Sequence, residues 1–303
     1  MNWLKDLTGK IKFNRPLSAH TTFRIGGPAK VFFEPQDIND LRRLLINAKK
    51  ENIRVLVIGA GSNLLVGDKG VRGIVVKLTA PAFQNVVYAH GSLRTGAGLL
   101  LSKLVKSAVD YNLGGCEFLA GIPGTVGGAL VMNAGITQKG KGQKLKVRAI
   151  SDIVSEVTVM DYSGNAKVFK KKDIRFAYRS SSLYNYIVLD ARLRLRKKNK
   201  KEIKATLKKH LASRRQCQDY SYPNAGCVFK NPQGHSGGRL IDLCGLKGKS
   251  FGDACISYRH ANFILNKGKA RAKDVLRLIA FVRRKVKSRF GVTLEPEIKI
   301  WQN

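Results

Sequence analysis

Between Cys116 and Gly135 the chain reads CEFLAGIPGTVGGALVMNAG, and no other stretch limits its fold so sharply. Glycines at 121, 124, 127, 128 and 135 surround one proline, with a single acid and no basic residue. Such a run lets the backbone approach another group closely and aim several N–H groups at an anion. It also serves as a buried tight turn between core elements. The glycines alone leave both readings open, and a cofactor site is the first to test.

At 303 residues the chain can build two or three packed units with real cores. An apolar fraction of 44% and only 8 prolines fit a globular protein and exclude a disordered one. No stretch has the apolar length of a membrane span, and the opening MNWLKDLTGK lacks the pattern of a secretion signal. Five cysteines without CxxC spacing do not make a disulfide framework, so a reducing, cytoplasmic setting is expected.

The formal net charge of +36 raises nucleic acid as a partner, because Lys and Arg release counterions from phosphates. Two stretches concentrate it: Arg192–Arg215 has twelve basic residues and one acid, and Lys267–Arg289 has ten and one. Neither interleaves aromatics in the manner used for base stacking. A solvated basic surface weighs at least as much, and a polynucleotide partner is not expected. The same field could steer a small anionic substrate.

Hydrophobic spacing lays out three segments. In the first, residues 1–80, Leu41, Leu44, Leu45 and Ala48 place a helix over 37–52, and 53–58 reads as a buried strand before a second strand at 73–78. In the second, 81–196, strands at 85–89 and 93–97 precede a helix over 100–111. The glycine segment follows, then a polar loop over 138–148. A hairpin of 154–160 and 166–169 turns at 161–164, and a half-buried strand spans 189–195. A charged linker, 196–201, leads to the third segment, 202–303. It holds helices over 202–215 and 238–243, strands at 254–257 and 263–266, a helix stopping at Gly291, and a last strand over 292–300. That strand alternates Val292, Leu294, Ile298 and Ile300 against Thr293, Glu295, Glu297 and Lys299.

A second glycine turn, GAGSN at 59–63, follows the 53–58 strand. A Rossmann fingerprint needs a third glycine opening a helix, and position 64 is leucine, so that fold is disfavoured. Gly59, Gly61, Ser62 and Asn63 still offer a phosphate-cradling turn. Two glycine turns in two α/β segments could hold one extended anion such as the pyrophosphate of FAD, and physics alone does not separate FAD from other nucleotides.

Eight motifs occur in order: TTFRIGGPA (21–29), GAGSNLLVGDKGVRG (59–73), AGIPGTVGGALVMNAG (120–135), FAYRSS (176–181), AGCVFKNP (225–232), GLKG (245–248), HANFILN (260–266) and LEPEIKI (294–300). Together they resemble the UDP-N-acetylenolpyruvoylglucosamine reductase (MurB) family, in its compact type II form. The resemblance implies an α/β (α+β) fold: a two-domain FAD-binding module of the PCMH or vanillyl-alcohol-oxidase type, and a C-terminal α+β substrate-binding domain whose last strand carries a catalytic glutamate. It implies bound FAD contacted by Gly59, Gly61, Ser62, Asn63, Leu64, Gly121, Pro123, Gly124, Thr125, Gly127 and Gly128. It also implies NADPH as co-substrate, a UDP-sugar substrate and a monomer.

The family reaction reduces an enolpyruvyl ether by hydride to C3 and a proton to C2, and residue types fit it. Arg179 matches the family's arginine, and a guanidinium suits the charge that builds on the substrate carboxyl group. Glu297 matches the family's catalytic glutamate, whereas Glu295 on the same face has no implied role. Cys227 stands where most relatives have serine, the proton donor. A thiol titrates near about 8.5, so it is mostly protonated at neutral pH and a stronger acid than an alcohol. Tyr178, Arg179, Lys230 and Asn231 are implied substrate contacts, and His260 and Asn262 either position groups or serve the structure. His20, His90, His210 and His235 show no metal spacing, and no metal is expected.

Overall fold

The computed structural model describes residues 2–89, 91–139 and 145–302. His90 and the centre of the expected 138–148 loop, residues 140–144, lie outside the described residues. The chain divides into two compact units. Unit 1 comprises Met1–Lys12, Val31–Gly59 and Gly73–Ser213; unit 2 comprises Phe13–Lys30, Ala60–Arg72 and Arg214–Asn303. Among the described residues no helix is long and apolar enough to cross a membrane.

Unit 1 centres on a five-stranded antiparallel sheet. Its order is Ala166–Lys170, Val154–Met160, Ile187–Arg194, Ser92–Gly96 and Val86–Ala89. The expected alternation holds in the central strand: Leu189, Ala191 and Leu193 are buried while Arg192 and Arg194 are exposed. Helix α1 (Ile38–Lys50) starts where the Asp37 side chain accepts a hydrogen bond from Asp40 N–H at 2.8 Å. It buries Leu41, Leu44, Leu45 and Ala48, the stripe its spacing predicts. Helix α2 (Leu101–Asp110) buries Leu101, Leu104, Val105 and Ala108 into the same core. Each large side chain sealed there stabilises the fold by about 1.5–3 kcal/mol.

Several expectations for this unit change. The 53–58 strand shortens to Val55–Val57 and is half-buried. Within the glycine segment Val126–Val131 forms a short helix, α3, rather than open loop. In place of a 138–148 loop, Gly135–Lys139 and Leu145–Ala149 pair antiparallel. The charged linker is ordered too: Arg196–Lys197 pairs with Leu113–Gly114, and helix α4 (Lys200–Cys217) begins directly after it. Basic composition resembled a linker because α4 buries only Ile203 outright, leaving its cations in water.

Unit 2 has an antiparallel sheet ordered Asn224–Cys227, Phe263–Asn266, Ala254–Ile256 and Ser250–Phe251. Helices α5 (Gly237–Leu243) and α6 (Ala272–Phe290) share its core. The buried stripe of α6 is Val275, Leu278, Ile279, Val282 and Val286. Its start is capped from afar: both Asp68 carboxylate oxygens accept backbone hydrogen bonds, from Ala272 at 2.8 Å and Lys273 at 3.1 Å. Gly291 ends it at φ 71°, in the left-handed conformation that favours glycine.

The last strand is shorter than expected, Lys299–Trp301, and Ile300 is exposed instead of facing the core with Leu294 and Ile298. Pro296 itself bridges antiparallel to Phe229, through hydrogen bonds of its neighbours Glu295 and Glu297 that need no proline N–H. Further on, Lys299–Trp301 runs parallel to Leu64–Val66.

Candidate functional site

In unit 1, Gly59 of the first glycine turn meets Thr125 of the second. A Cβ on Gly59 would lie 2.6 Å from the Thr125 hydroxyl oxygen, so any side chain there would fill the space between them. Thr125 caps α3 by accepting from Gly128 N–H at 3.3 Å. Val126 and Gly127 donate to the carbonyls of Leu99 and Ala97, both at 2.9 Å. A Cβ on Gly127 would come within 3.0 Å of Ala97 Cβ, so this buried glycine serves close packing. Gly121 (φ 73°), Pro123 and Gly128 keep exposed surface. Small residues, close backbone and that open edge fit a flavin nucleotide laid along the segment.

The same segment carries a second feature. Phe176–Ala177 and Ser180–Ser181 form a hairpin whose two turn residues are Tyr178 and Arg179. Ser181 Oγ lies 2.9 Å from the Leu130 carbonyl and 3.0 Å from that of Val131, at the end of α3. Asn133 donates its side-chain amide to Ala177 at 3.0 Å. Arg179 has φ 55°, an uncommon conformation for a residue with a side chain, and its guanidinium carbon is 5.1 Å from the Tyr178 ring centroid.

In unit 2, Gly61 (φ 64°) packs so tightly that a Cβ would overlap the His20 carbonyl. Asn63 donates its side-chain amide to the Glu297 carbonyl at 3.2 Å, and its own carbonyl accepts from Lys299 at 2.9 Å. Leu64 is buried in the strand that pairs with Lys299. These two residues thus also fix the segment that bears Glu297.

Cys227 ends a strand with a bulge. Asn224 pairs with Leu265 and Cys227 with Phe263, which leaves one extra residue, and Gly226 takes φ 75°. A bulge of this kind re-aims the next side chain. The Asn224 carboxamide builds it, accepting from Gly226 N–H at 3.0 Å and donating to Asp219 and Tyr222 carbonyls at 3.0 and 2.9 Å. Thr22 donates to the Asn224 carbonyl at 2.7 Å. Immediately after the bulge, Glu297 N–H donates to Val228 at 2.7 Å and Lys230 N–H to Glu295 at 2.9 Å. The fold therefore sets Glu297 beside the segment that begins at Cys227.

Beneath lies a polar network. Asn262, nearly fully buried, clamps Phe229 by accepting from its N–H at 2.9 Å and donating to its carbonyl at 2.8 Å. Ser257 donates to Asp219 at 2.6 Å and accepts from Arg259 and His260 N–H, both at 3.0 Å. Burial pushes the Asp219 carboxyl up, but hydrogen bonds from Ser221 and Ser257 outweigh it and hold it below the ordinary value. Burial lowers His260 below the usual imidazole range. Asn262 thus has a structural duty. Of the expected substrate contacts, Lys230 makes an ion pair with Glu295 at 3.2 Å and Asn231 accepts from Gly237 N–H at 2.9 Å. Sequence reasoning missed Asn224, Asp219 and Ser257, although Asn-Ala-Gly is a turn signal that marks the first.

Residues 29–170 match the FAD binding domain family. Together with the fold, this makes the chain an FAD-binding oxidoreductase of the class expected, an α/β flavin module followed by an α+β C-terminal part. Residues 218–301 match the family described as UDP-N-acetylenolpyruvoylglucosamine reductase, C-terminal domain. The UDP-N-acetylenolpyruvoylglucosamine reductase 2 of Symbiobacterium thermophilum is 44% identical over 295 residues, covering 97% of this chain and 92% of the relative. The reductase of Caldanaerobacter subterraneus is 41% identical over 294 residues, covering 96% and 94%. The crystal structure of the reductase MurB from Thermus caldophilus superimposes with a TM-score of 0.79 at 36% identity, covering 98% of this chain and all of that one. The chain belongs to the UDP-N-acetylenolpyruvoylglucosamine reductase family.

Proposed function

We propose that the protein reduces the enolpyruvyl ether of UDP-N-acetyl-3-O-(1-carboxyvinyl)-glucosamine to UDP-N-acetylmuramate, a step of peptidoglycan synthesis, in the cytoplasm and as a monomer. In this reading residues 1–80 and 81–196 hold FAD and residues 202–303 receive the nucleotide sugar. Gly59, Gly61, Ser62, Asn63, Leu64, Gly121, Pro123, Gly124, Thr125, Gly127 and Gly128 hold the cofactor, Thr125 and Gly127 acting through the backbone they shape. FAD supplies, when bound and reduced by NADPH, the hydride that adds to C3.

The protein's own residues manage charge and protons. Arg179 holds the substrate carboxylate, whose negative charge grows as C3 takes the hydride; a fixed guanidinium favours that state without reorganisation. Cys227 Sγ–H gives its proton to C2, and the thiolate is reprotonated from solvent before the next turnover. Glu297 contributes a hydrogen bond on the same side. Tyr178, Lys230 and Asn231 contact the substrate, Lys230 exchanging its Glu295 partner for a phosphate or carboxylate. The observation that carries this reading is the Glu297–Val228 hydrogen bond directly after the Cys227 bulge, which joins two acids of suitable type from distant sequence.

Anaerobic reduction tests it. NADPH should bleach the flavin absorbance of the purified yellow protein, and the enolpyruvyl nucleotide should restore it while UDP-N-acetylmuramate forms. A flavin that NADPH reduces but the nucleotide never reoxidises would overturn the substrate.

A further inference from the structure

The basic stretch Lys267–Arg289 has no duty in the reaction just described, and its placement in unit 2 is unlike that of α4. Arg277, Phe281, Arg284 and Lys285 lie on one side of α6, at i, i+4, i+7 and i+8, away from its buried stripe. Phe251 of the neighbouring strand meets Phe281 edge to face, centroids 5.9 Å apart. Around the two rings four cations gather. Lys249 Nζ is 5.5 Å from both centroids, Arg277 Cζ 5.6 Å from Phe251, Arg284 Cζ 5.7 Å and Lys285 Nζ 5.8 Å from Phe281. All four are exposed, and among the described residues none pairs with a carboxylate.

Four like charges without a counter-ion repel one another and would splay into water if only their stems held them. Here ring faces hold the heads, each contact worth about 0.5–1 kcal/mol at an exposed site. A guanidinium lying against a ring keeps its edge N–H donors pointing outward, the fork that matches a phosphate. We propose that this cluster is a docking surface for the phosphate backbone of RNA, bound without sequence preference. The rings are half-buried and shielded by the cations, so they serve to order charge rather than to stack bases. A lipid surface fits less well: the apolar stripe of α6 is spent on the core, and an interfacial helix needs it to enter the bilayer. The expectation against a polynucleotide rested on the missing aromatic interleaving. Phe251, from outside the basic stretch, joins Phe281 in ordering the cations, which suits backbone contact without base stacking.

The test is fluorescence anisotropy of a fluorescein-labelled uridine 20-mer with the flavin-loaded enzyme, titrated at several salt concentrations. One variant changes Lys249, Arg277, Arg284 and Lys285 to Gln. A control of equal charge loss changes Lys200, Lys201, Lys204 and Lys208 of α4 to Gln. The first should weaken binding at least 10-fold and flatten the log–log salt slope by about 2–3, near 0.7 per lost single-strand phosphate contact. The control should weaken binding less than 2-fold, and both should keep full flavin content and turnover. Equal loss in both variants would overturn the proposal in favour of a diffuse field. So would a wild-type enzyme that binds phosphatidylglycerol vesicles but not the oligonucleotide.

Discussion

Two short turns carry candidate catalytic side chains, and they manage left-handed backbone in opposite ways. At the Tyr178–Arg179 hairpin the candidate residue itself, Arg179, adopts φ 55°. At the Asn224–Cys227 bulge the positive φ of 75° falls on Gly226, and Cys227 is spared. A left-handed conformation costs a residue with a Cβ about 1–2 kcal/mol, and glycine almost nothing. The arginine turn must be held by its surroundings: Ser181 of the hairpin donates to the Leu130 carbonyl at the end of α3, and Asn133 donates to the Ala177 carbonyl. The cysteine turn is held by its own sequence, through the Asn224 carboxamide and the glycine that follows. Strain on a long, charged side chain fixes its direction. Relief on a short thiol leaves aim to the bulge alone.

Substitution should separate the two turns. Cys227→Ala should lower turnover by about 10²–10⁴-fold, the usual worth of a positioned proton donor, and Cys227→Ser should keep most of it. Stopped-flow mixing would show flavin reduction by NADPH unchanged and reoxidation by the nucleotide slowed; normal turnover in the Ala variant would end the donor assignment. Arg179→Gly should cost about 10²-fold in turnover, as expected for loss of one preorganised charge-stabilising group. Unlike most active-site truncations, it should raise thermal stability, by up to about 1 kcal/mol, because the left-handed strain disappears. A fall in the melting temperature would mean that the turn is not strained.

Gly226→Ala inverts the experiment. No atom lies within 4 Å of the added Cβ, so the cost is backbone alone, about 1–2 kcal/mol on chemical denaturation. A cost near zero would show that the bulge relaxes. The smallest effects come from pH. The Asp219 pKa is depressed in the fold by its serine hydrogen bonds, so its stabilisation is present at neutral pH and lost as pH falls through the carboxylate range. His260, depressed by burial, adds a loss that starts as pH falls below the ordinary imidazole value. Burial instead raises Cys116, at the head of the glycine segment, to about 12. Its stabilisation is full below the ordinary thiol value and declines as pH rises toward 12. Hydrogen exchange across pH should therefore weaken the cysteine turn first in acid and the glycine segment first in alkali.

Much of this was legible in the sequence. Helices α1 and α6 announce themselves by stripes at 41, 44, 45, 48 and at 275, 279, 282, 286 and 290, all buried but the half-buried Phe290, and Asp37 and Gly291 mark the ends where they fall. The strand 154–160 lies where the hairpin signal at 161–164 places it. What stayed hidden depends on partners far along the chain. Periodicity read 292–300 as one strand, whereas the segment bridges Phe229 at Pro296 and pairs with Leu64–Val66 only from Lys299. Charge read 196–201 as a linker, because pairing with Leu113–Gly114 leaves no mark on local composition. At the site, motif matching picked out Cys227 and Glu297. The Asp219–Ser257 support is absent from any motif because its members meet only through the fold.

Unit 2 has a consequence for the order in which the chain is made. Its early pieces, Phe13–Lys30 and Ala60–Arg72, leave the ribosome long before Arg214–Asn303. Among the described residues Leu64–Val66 pairs only with Lys299–Trp301, so it waits for the end of the chain, and Asp68 waits nearly as long to cap α6. Every segment of unit 1 is complete at Ser213, so it can form meanwhile and keep these stretches tethered at their ends. Unit 2 is thus assembled late and all at once, so a stalled or shortened message yields a nascent chain in which Cys227 and Glu297 are never brought together.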